Sequence, residues 1–210
     1  IAELLRWEGS SNIGSALVFP YFGSNGKLAH YADPMTGERG IYCRLKPRKP
    51  RTTGSRNEKK TVKYEAPKGL SPRCYFPPIV PPADWLDLTK PLLITEGEKK
   101  SLCGSQHGFI TLGLSGVWSW CVKETEEAKT SRKAKGAPKQ LLPDFAALPL
   151  NGRQIFIVFD SDRVSNRNVR LAESHLTQTL TALGAQVFIV QLPVGPDGAK
   201  TGLDDFLVRG

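Results

Sequence analysis

Four short apolar runs constrain this chain more than any other feature: Pro91–Thr95, Phe109–Leu114, Ile155–Phe159 and Val187–Leu192. Each has strand length, and none alternates strictly between apolar and polar residues. A strand of that kind needs cover on both faces, which a parallel sheet sandwiched between helices provides. The intervening segments supply the helices. Glu98–His107 reads as one, stopped by Gly108. Asn166–Leu183 reads as a longer one, with an apolar stripe of Val169, Leu171, Ala172, Leu176, Leu180 and Leu183 and with Gly184 as its C′ residue. Residues 83–210 therefore read as an α/β domain: a parallel four-stranded sheet with flanking helices. Residues 117–153 carry charge, Pro and Gly, and read as an insertion in that rhythm.

The first 82 residues follow a different pattern, that of a small β-rich module. Ala16–Phe22, Leu28–Ala32, Ile41–Leu45 and Val62–Glu65 are strand candidates, and Asn25-Gly26 is a hairpin signal between the first two. The prolines Pro77, Pro78, Pro81 and Pro82 remove backbone donors and read as a linker ending near residue 82. The chain begins at Ile1, which suggests a piece of a longer polypeptide.

Charge divides along the same line. The chain holds 29 Lys and Arg against 20 Asp and Glu, a net +9. Nine of those cations lie within 44–63 (Arg44, Lys46, Arg48, Lys49, Arg51, Arg56, Lys59, Lys60 and Lys63), with one acid, Glu58. Few apolar residues lie between Lys46 and Lys60, so that stretch reads as a mobile loop. Flanked by Tyr42 and Tyr64, it offers phosphate attraction and base-stacking groups to a nucleic acid. A second basic cluster runs from Lys129 to Lys139 in the insertion.

Several classes are excluded. No apolar run reaches the roughly 18–20 residues of a membrane span. The cysteines Cys43, Cys74, Cys103 and Cys121 show neither zinc-ligand spacing nor a disulfide framework, and read as reduced thiols of a cytoplasmic protein. Gly195-Pro-Asp-Gly-Ala-Lys200-Thr201 is not a P-loop, because Ala199 separates Gly198 from Lys200.

The chemistry gathers where strands end, because open parallel sheets place their active groups at the carboxyl edge. Glu96 follows the first strand there, and Asp160 and Asp162 follow the third. The Asp-x-Asp spacing sets both carboxylates on one side of an extended chain. Three hard oxygen donors at one edge suit Mg²⁺. The same acids also have an ordinary reading as loop and N-cap residues. Lys99 and Lys100 stand on the first turns of the following helix, either reaching phosphate or lining a solvated face. Asp204 and Asp205 either approach a cation or favour a helix N-terminus. Lys200 is a further phosphate candidate.

Thr95-Glu96-Gly97-Glu98-Lys99-Lys100 after an apolar strand, and Phe159-Asp160-Ser161-Asp162 after a later one, resemble the two signatures of the TOPRIM domain. The ending Gly202-Leu203-Asp204-Asp205-Phe206-Leu207 is similar to that of TOPRIM proteins of plasmids and phages, many with a helicase further along the chain. This resemblance implies that Glu96 acts as general acid/base or shared ligand, and that Asp160 and Asp162 hold Mg²⁺ or Mn²⁺. It implies nucleotidyl transfer on a single-stranded DNA template, a DNA primase activity within a plasmid or phage replication protein. Its alternatives are a TOPRIM-type nuclease or a non-catalytic nucleic-acid-binding module of a replication helicase. Where many cellular primases carry an aromatic residue and an Asp, this chain has Glu98-Lys99-Lys100.

Overall fold

A computed structural model describes residues 2–6, 14–33, 36–54, 59–123 and 139–209. The chain divides into two compact units, one of residues 1–23 with 27–70 and one of residues 24–26 with 71–210.

The first unit is built from short antiparallel pairs. Strand β1 (Ala16–Pro20) pairs with β4 (Cys43–Pro47), β2 (His30–Ala32) with β3 (Arg39–Ile41), and β5 (Arg51–Thr53) with β6 (Lys60–Val62). The expected hairpin partner of β1 is therefore displaced. Around residues 24–26 the two arms meet at a Phe22–Leu28 bridge and in the Gly23–Lys27 and Ala29–Tyr21 backbone hydrogen bonds, and β1 takes its full register from β4. Strand β4 alternates buried and partly buried residues, and Cys43 and Leu45 join Leu5 of the one-turn helix α1 (Ala2–Leu5) in a small core. Tyr21 and Tyr42 are buried edge to face at 5.0 Å. Glu65 pairs with Leu45 through two backbone hydrogen bonds, extending β4 on its other side.

The second unit carries a four-stranded, all-parallel sheet in the order β10-β9-β7-β8. Its strands are β7 (Leu92–Glu96), β8 (Ile110–Leu114), β9 (Gln154–Val158) and β10 (Gln186–Ile189). Between β7 and β8 runs α3 (Glu98–Gln106), and between β9 and β10 runs α4 (Arg167–Ala182). These four strands and two helices stand within one to three residues of their expected bounds. Strand order reverses at β7, so the right-handed crossovers place α3 and α4 on opposite faces. Leu92, Ile94, Ile155 and Ile157 pack with Val169, Leu176 and Leu180 of α4. The other face packs Val158, Leu192, Leu93 and Phe156 against Leu203 and Leu207 of α5 (Leu203–Arg209). Asn166 caps α4 by accepting from the backbone N–H groups of Asn168 and Val169. Leu171 and Leu183, counted in the apolar stripe, are exposed.

Two expectations change here. The Pro-rich run is packed rather than extended as a spacer: Phe76 and Val80 are buried, and Phe76 meets Trp85 of α2 (Pro82–Leu86) edge to face at 4.9 Å. Both ends of the insertion belong to the core, since Trp120, Leu142, Phe145 and Leu148 are buried with the sheet. Arg153 is fully buried and donates to the backbone carbonyls of Trp85, Lys90 and Asp84, at 2.7, 3.0 and 3.3 Å. It thereby fixes α2 and its following turn to the start of β9. All four cysteines are free thiols. Among the described residues no helix is long and apolar enough to cross a membrane.

Candidate active site at the carboxyl edge of the sheet

Glu96 is the last residue of β7, and Asp160 lies two residues beyond the end of β9, the adjacent strand. The chain leaves β7 through Gly97, whose φ of 100° is a conformation that L side chains rarely adopt. Its N–H donates to Leu114 at the end of β8, and α3 begins at the next residue. This turn fixes Glu96 at the sheet edge and sends Lys100 along α3. On the neighbouring strand, Asp160 precedes a 3₁₀ turn, Ser161–Val164, that contains Asp162.

These acids are held by two lysines. Asp160 is 5 % exposed, and each of its oxygens meets an ammonium group: Lys100 Nζ at 2.5 Å from Oδ1 and Lys200 Nζ at 2.8 Å from Oδ2. Lys200 also reaches Asp162 Oδ2 at 2.9 Å, so it bridges both aspartates. Asp162 Oδ1 is buried without a hydrogen-bond partner. Burial raises the Glu96 carboxyl above the ordinary carboxylate range; the charges of Asp160 and Asp162 add to this, and Lys100 and Lys200 oppose it. Burial draws the Lys200 ammonium down, but its hydrogen bonds to Asp160 and Asp162 and their charges outweigh that, pushing it up to about 12. Five of the expected site residues are thus electrostatically coupled at one edge: Glu96, Asp160, Asp162, Lys100 and Lys200.

The remaining expected residues lie elsewhere or do other work. Lys99 is exposed on α3 and joins none of these ion pairs. Asp205 accepts from the Gly202 N–H at 3.0 Å, which is the helix N-terminal role for α5. Asp204 lies near the cluster: a Cβ placed at Gly202 would fall 2.6 Å from Lys100 Cε, 2.8 Å from Asp204 Oδ1 and 3.3 Å from Asp160 Oδ1. Gly202 is therefore small because three side chains converge on it.

In the first unit, the cations expected to bind nucleic acid fall into two groups. Arg48, Lys49, Lys59, Lys60 and Lys63 are exposed. Arg44 and Lys46 lie over the Tyr64 ring, at 5.0 and 5.6 Å from its centroid. Arg51 is tied to the buried Glu65 by two hydrogen bonds of 2.7 and 3.0 Å. The segment expected as a loop contains the β5–β6 pair, because its β-branched Thr52, Thr53, Thr61 and Val62 can form a ladder while Arg51 and Lys60 keep their charges in water. Tyr42, expected as a stacking group, is buried. Arg56 lies outside the described residues, as does the cluster beginning at Lys129 apart from Lys139, which sits 5.7 Å over Trp118.

Two residues without an expected role lie next to the site residues in sequence. Ser161, the central residue of Asp-x-Asp, donates its N–H to the Thr201 carbonyl and accepts the Thr201 N–H on Oγ, both at 2.9 Å. That reciprocal pair anchors the backbone beside Lys200. Glu98 is buried on the first turn of α3, and burial together with its charge pushes the Tyr75 phenol up to about 12. An acid in the first helical turn is favoured by the helix dipole, and that is the signal Glu98 offered.

Residues 85–210 match a family described as a domain of unknown function, DUF3854. The chain belongs to this family. The match begins in α2 and covers the parallel sheet and all of the acids and lysines of the site, so the ion-paired edge lies inside the DUF3854 segment. No curated protein and no solved structure matches the chain.

The donor set of the DUF3854 segment can be tested against a divalent cation. Among the described residues no cluster of three or more His, Cys, Asp and Glu converges tightly enough by itself to hold a metal ion. The two lysines stand on the aspartate oxygens instead. The chemistry nonetheless fits a hard cation: carboxylate oxygens are the preferred ligands of Mg²⁺, and one of them, Asp162 Oδ1, is buried and unsatisfied. Three carboxylates against two ammonium groups leave one negative charge for further cationic charge to offset.

Proposed function

We propose that the carboxyl edge of the parallel sheet is a Mg²⁺-dependent nucleotidyl-transfer site of the TOPRIM type, and that the chain serves as a DNA primase within a plasmid or phage replication protein. The observation that carries this reading is the convergence of Glu96, Asp160 and Asp162 with Lys100 and Lys200 at one sheet edge. Asp160 and Asp162 are the residues to hold the cation, with Glu96 beside them. A bound Mg²⁺ supplies charge neutralisation at the attacked phosphate, which is the main demand of phosphoryl transfer. Burial raises the Glu96 carboxyl, which suits it to exchange a proton with a reacting group at this edge. Lys100 and Lys200 bring positive charge to the edge where a triphosphate would sit. The exposed cations of the first unit supply the electrostatic grip on a single-stranded template. A helicase in the same full-length chain and a cytoplasmic setting accord with the resemblance.

The test is direct. The chain is incubated with single-stranded DNA, labelled NTPs or dNTPs, and Mg²⁺ or Mn²⁺. Short products are expected from the wild type, falling at least about a thousandfold for Asp160→Ala, since the cation provides several kcal/mol of charge stabilisation. Degradation of the template without synthesis would instead identify a nuclease at the same acids. Binding with neither reaction would identify a non-catalytic module.

A further inference from the structure

We propose that Lys200 is an exchangeable internal cation, which yields the Asp160–Asp162 oxygens to a divalent metal ion and then passes to a phosphate of the incoming nucleotide. The proposal rests on the Mg²⁺ reading of this edge and adds to it a role for one side chain. Lys200 Nζ sits between the two aspartates, at 2.8 Å from Asp160 Oδ2 and 2.9 Å from Asp162 Oδ2. A Mg²⁺ ion would need carboxylate oxygens at about 2.1 Å, so it would compete for the same wedge between the two groups. Two cations sharing those oxygens would repel one another across a few ångströms in a partly buried setting.

The two lysines are not equivalent in this respect. The Lys100 side chain is 20 % exposed, reaches the opposite oxygen of Asp160, and packs where any side chain at Gly202 would collide with its Cε. It is the more enclosed of the two. The Lys200 side chain is 51 % exposed. Its backbone neighbour is fixed by the reciprocal Ser161–Thr201 hydrogen bonds. The ammonium can therefore swing on its own stem while the loop that carries it stays in place. Charge favours the exchange. Three carboxylates and two ammonium groups sum to −1, and a divalent ion makes the site +1. A triphosphate then supplies the negative charge that draws the released ammonium away.

Binding measurements separate this proposal from the activity itself. Mn²⁺ affinity of the full 210-residue chain is measured by electron paramagnetic resonance for the wild type, Lys200→Met and Lys200→Arg. Lys200→Met is expected to bind Mn²⁺ about three- to tenfold more tightly, as fits loss of a competing, half-exposed ion pair. Lys200→Arg keeps the charge and is expected to show no gain. Equal or weaker binding by Lys200→Met, with the wild type still binding, overturns the exchange alone. Absence of Mn²⁺ binding in every variant overturns the metal reading of the site as well. A second readout follows the ammonium. Amine-reactive labelling of Lys200, read by mass spectrometry, is expected to rise when Mn²⁺ is added and to fall again when ATP follows. Labelling that ignores both additions overturns the proposal. Circular dichroism of each variant verifies that a changed affinity reflects the side chain and not the fold.

Discussion

The two units use the same residue types in opposite ways. In the first, Arg48, Lys49, Lys59, Lys60 and Lys63 stay at the surface, and Arg51 is tied to a buried partner, Glu65. In the second, the decisive cations are drawn inward: Arg153 is buried on three carbonyls, and Lys100 and Lys200 are spent on Asp160 and Asp162. The difference follows from architecture. Short antiparallel pairs leave one face in water, where long cations cost nothing to solvate. A parallel sheet covered on both faces buries its strand ends, and a charge there must find a partner. Net charge alone conceals this contrast, because paired ions contribute nothing to the sum while organising the site.

The contrast breaks most visibly at Arg153. Arg153→Met would leave three carbonyls at α2 and its following turn without their donors. The expected loss is about 3 kcal/mol or more of stability in the second unit, at 1–3 kcal/mol for each buried group left unsatisfied. Urea unfolding followed by tryptophan fluorescence in a Trp7→Phe background, which leaves Trp85, Trp118 and Trp120, reads that unit. A loss below about 1 kcal/mol would mean that water replaces the guanidinium freely, and the second unit would not be using this cation as an internal clamp.

Gly202→Ala tests the crowding at the site itself. The new methyl would meet Lys100 Cε and Asp204 Oδ1 within 3 Å. Overpacking of this kind costs about 1–3 kcal/mol, although the flexible end of Lys100 can absorb part of it. The informative result is a selective one: the Lys100–Asp160 contact is displaced, and Mn²⁺ affinity changes more than the melting temperature does.

Much of the second unit was legible because its strands are apolar throughout and its helices carry their own stops, Gly108 and Gly184. The acids of the site were legible because they directly follow strands. Arg153 was not, since nothing in its local sequence distinguishes a buried clamp from a surface arginine; only the chain reversal at α2, nearly seventy residues away, gives it partners. Ser161 stayed hidden for a related reason, because its partner Thr201 comes from a distant loop. In the first unit, Asn25-Gly26 correctly marks a turn, yet local turn chemistry does not choose the pairing partner: β1 finds a longer register with β4. Basic composition likewise resembles that of a loop even where Thr61 and Val62 form a ladder with Thr52 and Arg51.

Glu96→Gln sharpens the comparison through pH. The folded-state carboxyl of Glu96 is raised from its ordinary 4.5, so its favourable contribution is complete below that pH and is lost as pH rises through the folded value. With chelator present, the wild type should therefore lose stability relative to Glu96→Gln as pH increases from acid toward neutrality, and the two should differ least at the acid end. Thermal melts across that range read the effect. Curves that stay parallel would show that Lys100 and Lys200 fully compensate Glu96, leaving it an ordinary carboxylate.

The smallest expected effect on stability, and the sharpest on binding, belongs to the exposed cations of the first unit. Arg48, Lys49 and Lys60 face solvent, so replacing all three with Gln should move the melting temperature little, each surface change being worth within about 0.5 kcal/mol. If they meet phosphates, the same replacement should reduce the slope of log affinity for single-stranded DNA against log salt by about 2, at about 0.7 for each phosphate neutralised. An Arg51→Gln control should behave in the reverse sense, because its guanidinium is already engaged by Glu65: stability falls and the salt slope moves less. Were the slope unchanged in the triple variant, the surplus charge of the first unit would be a solvated face, and the template would have to be held by the second unit alone.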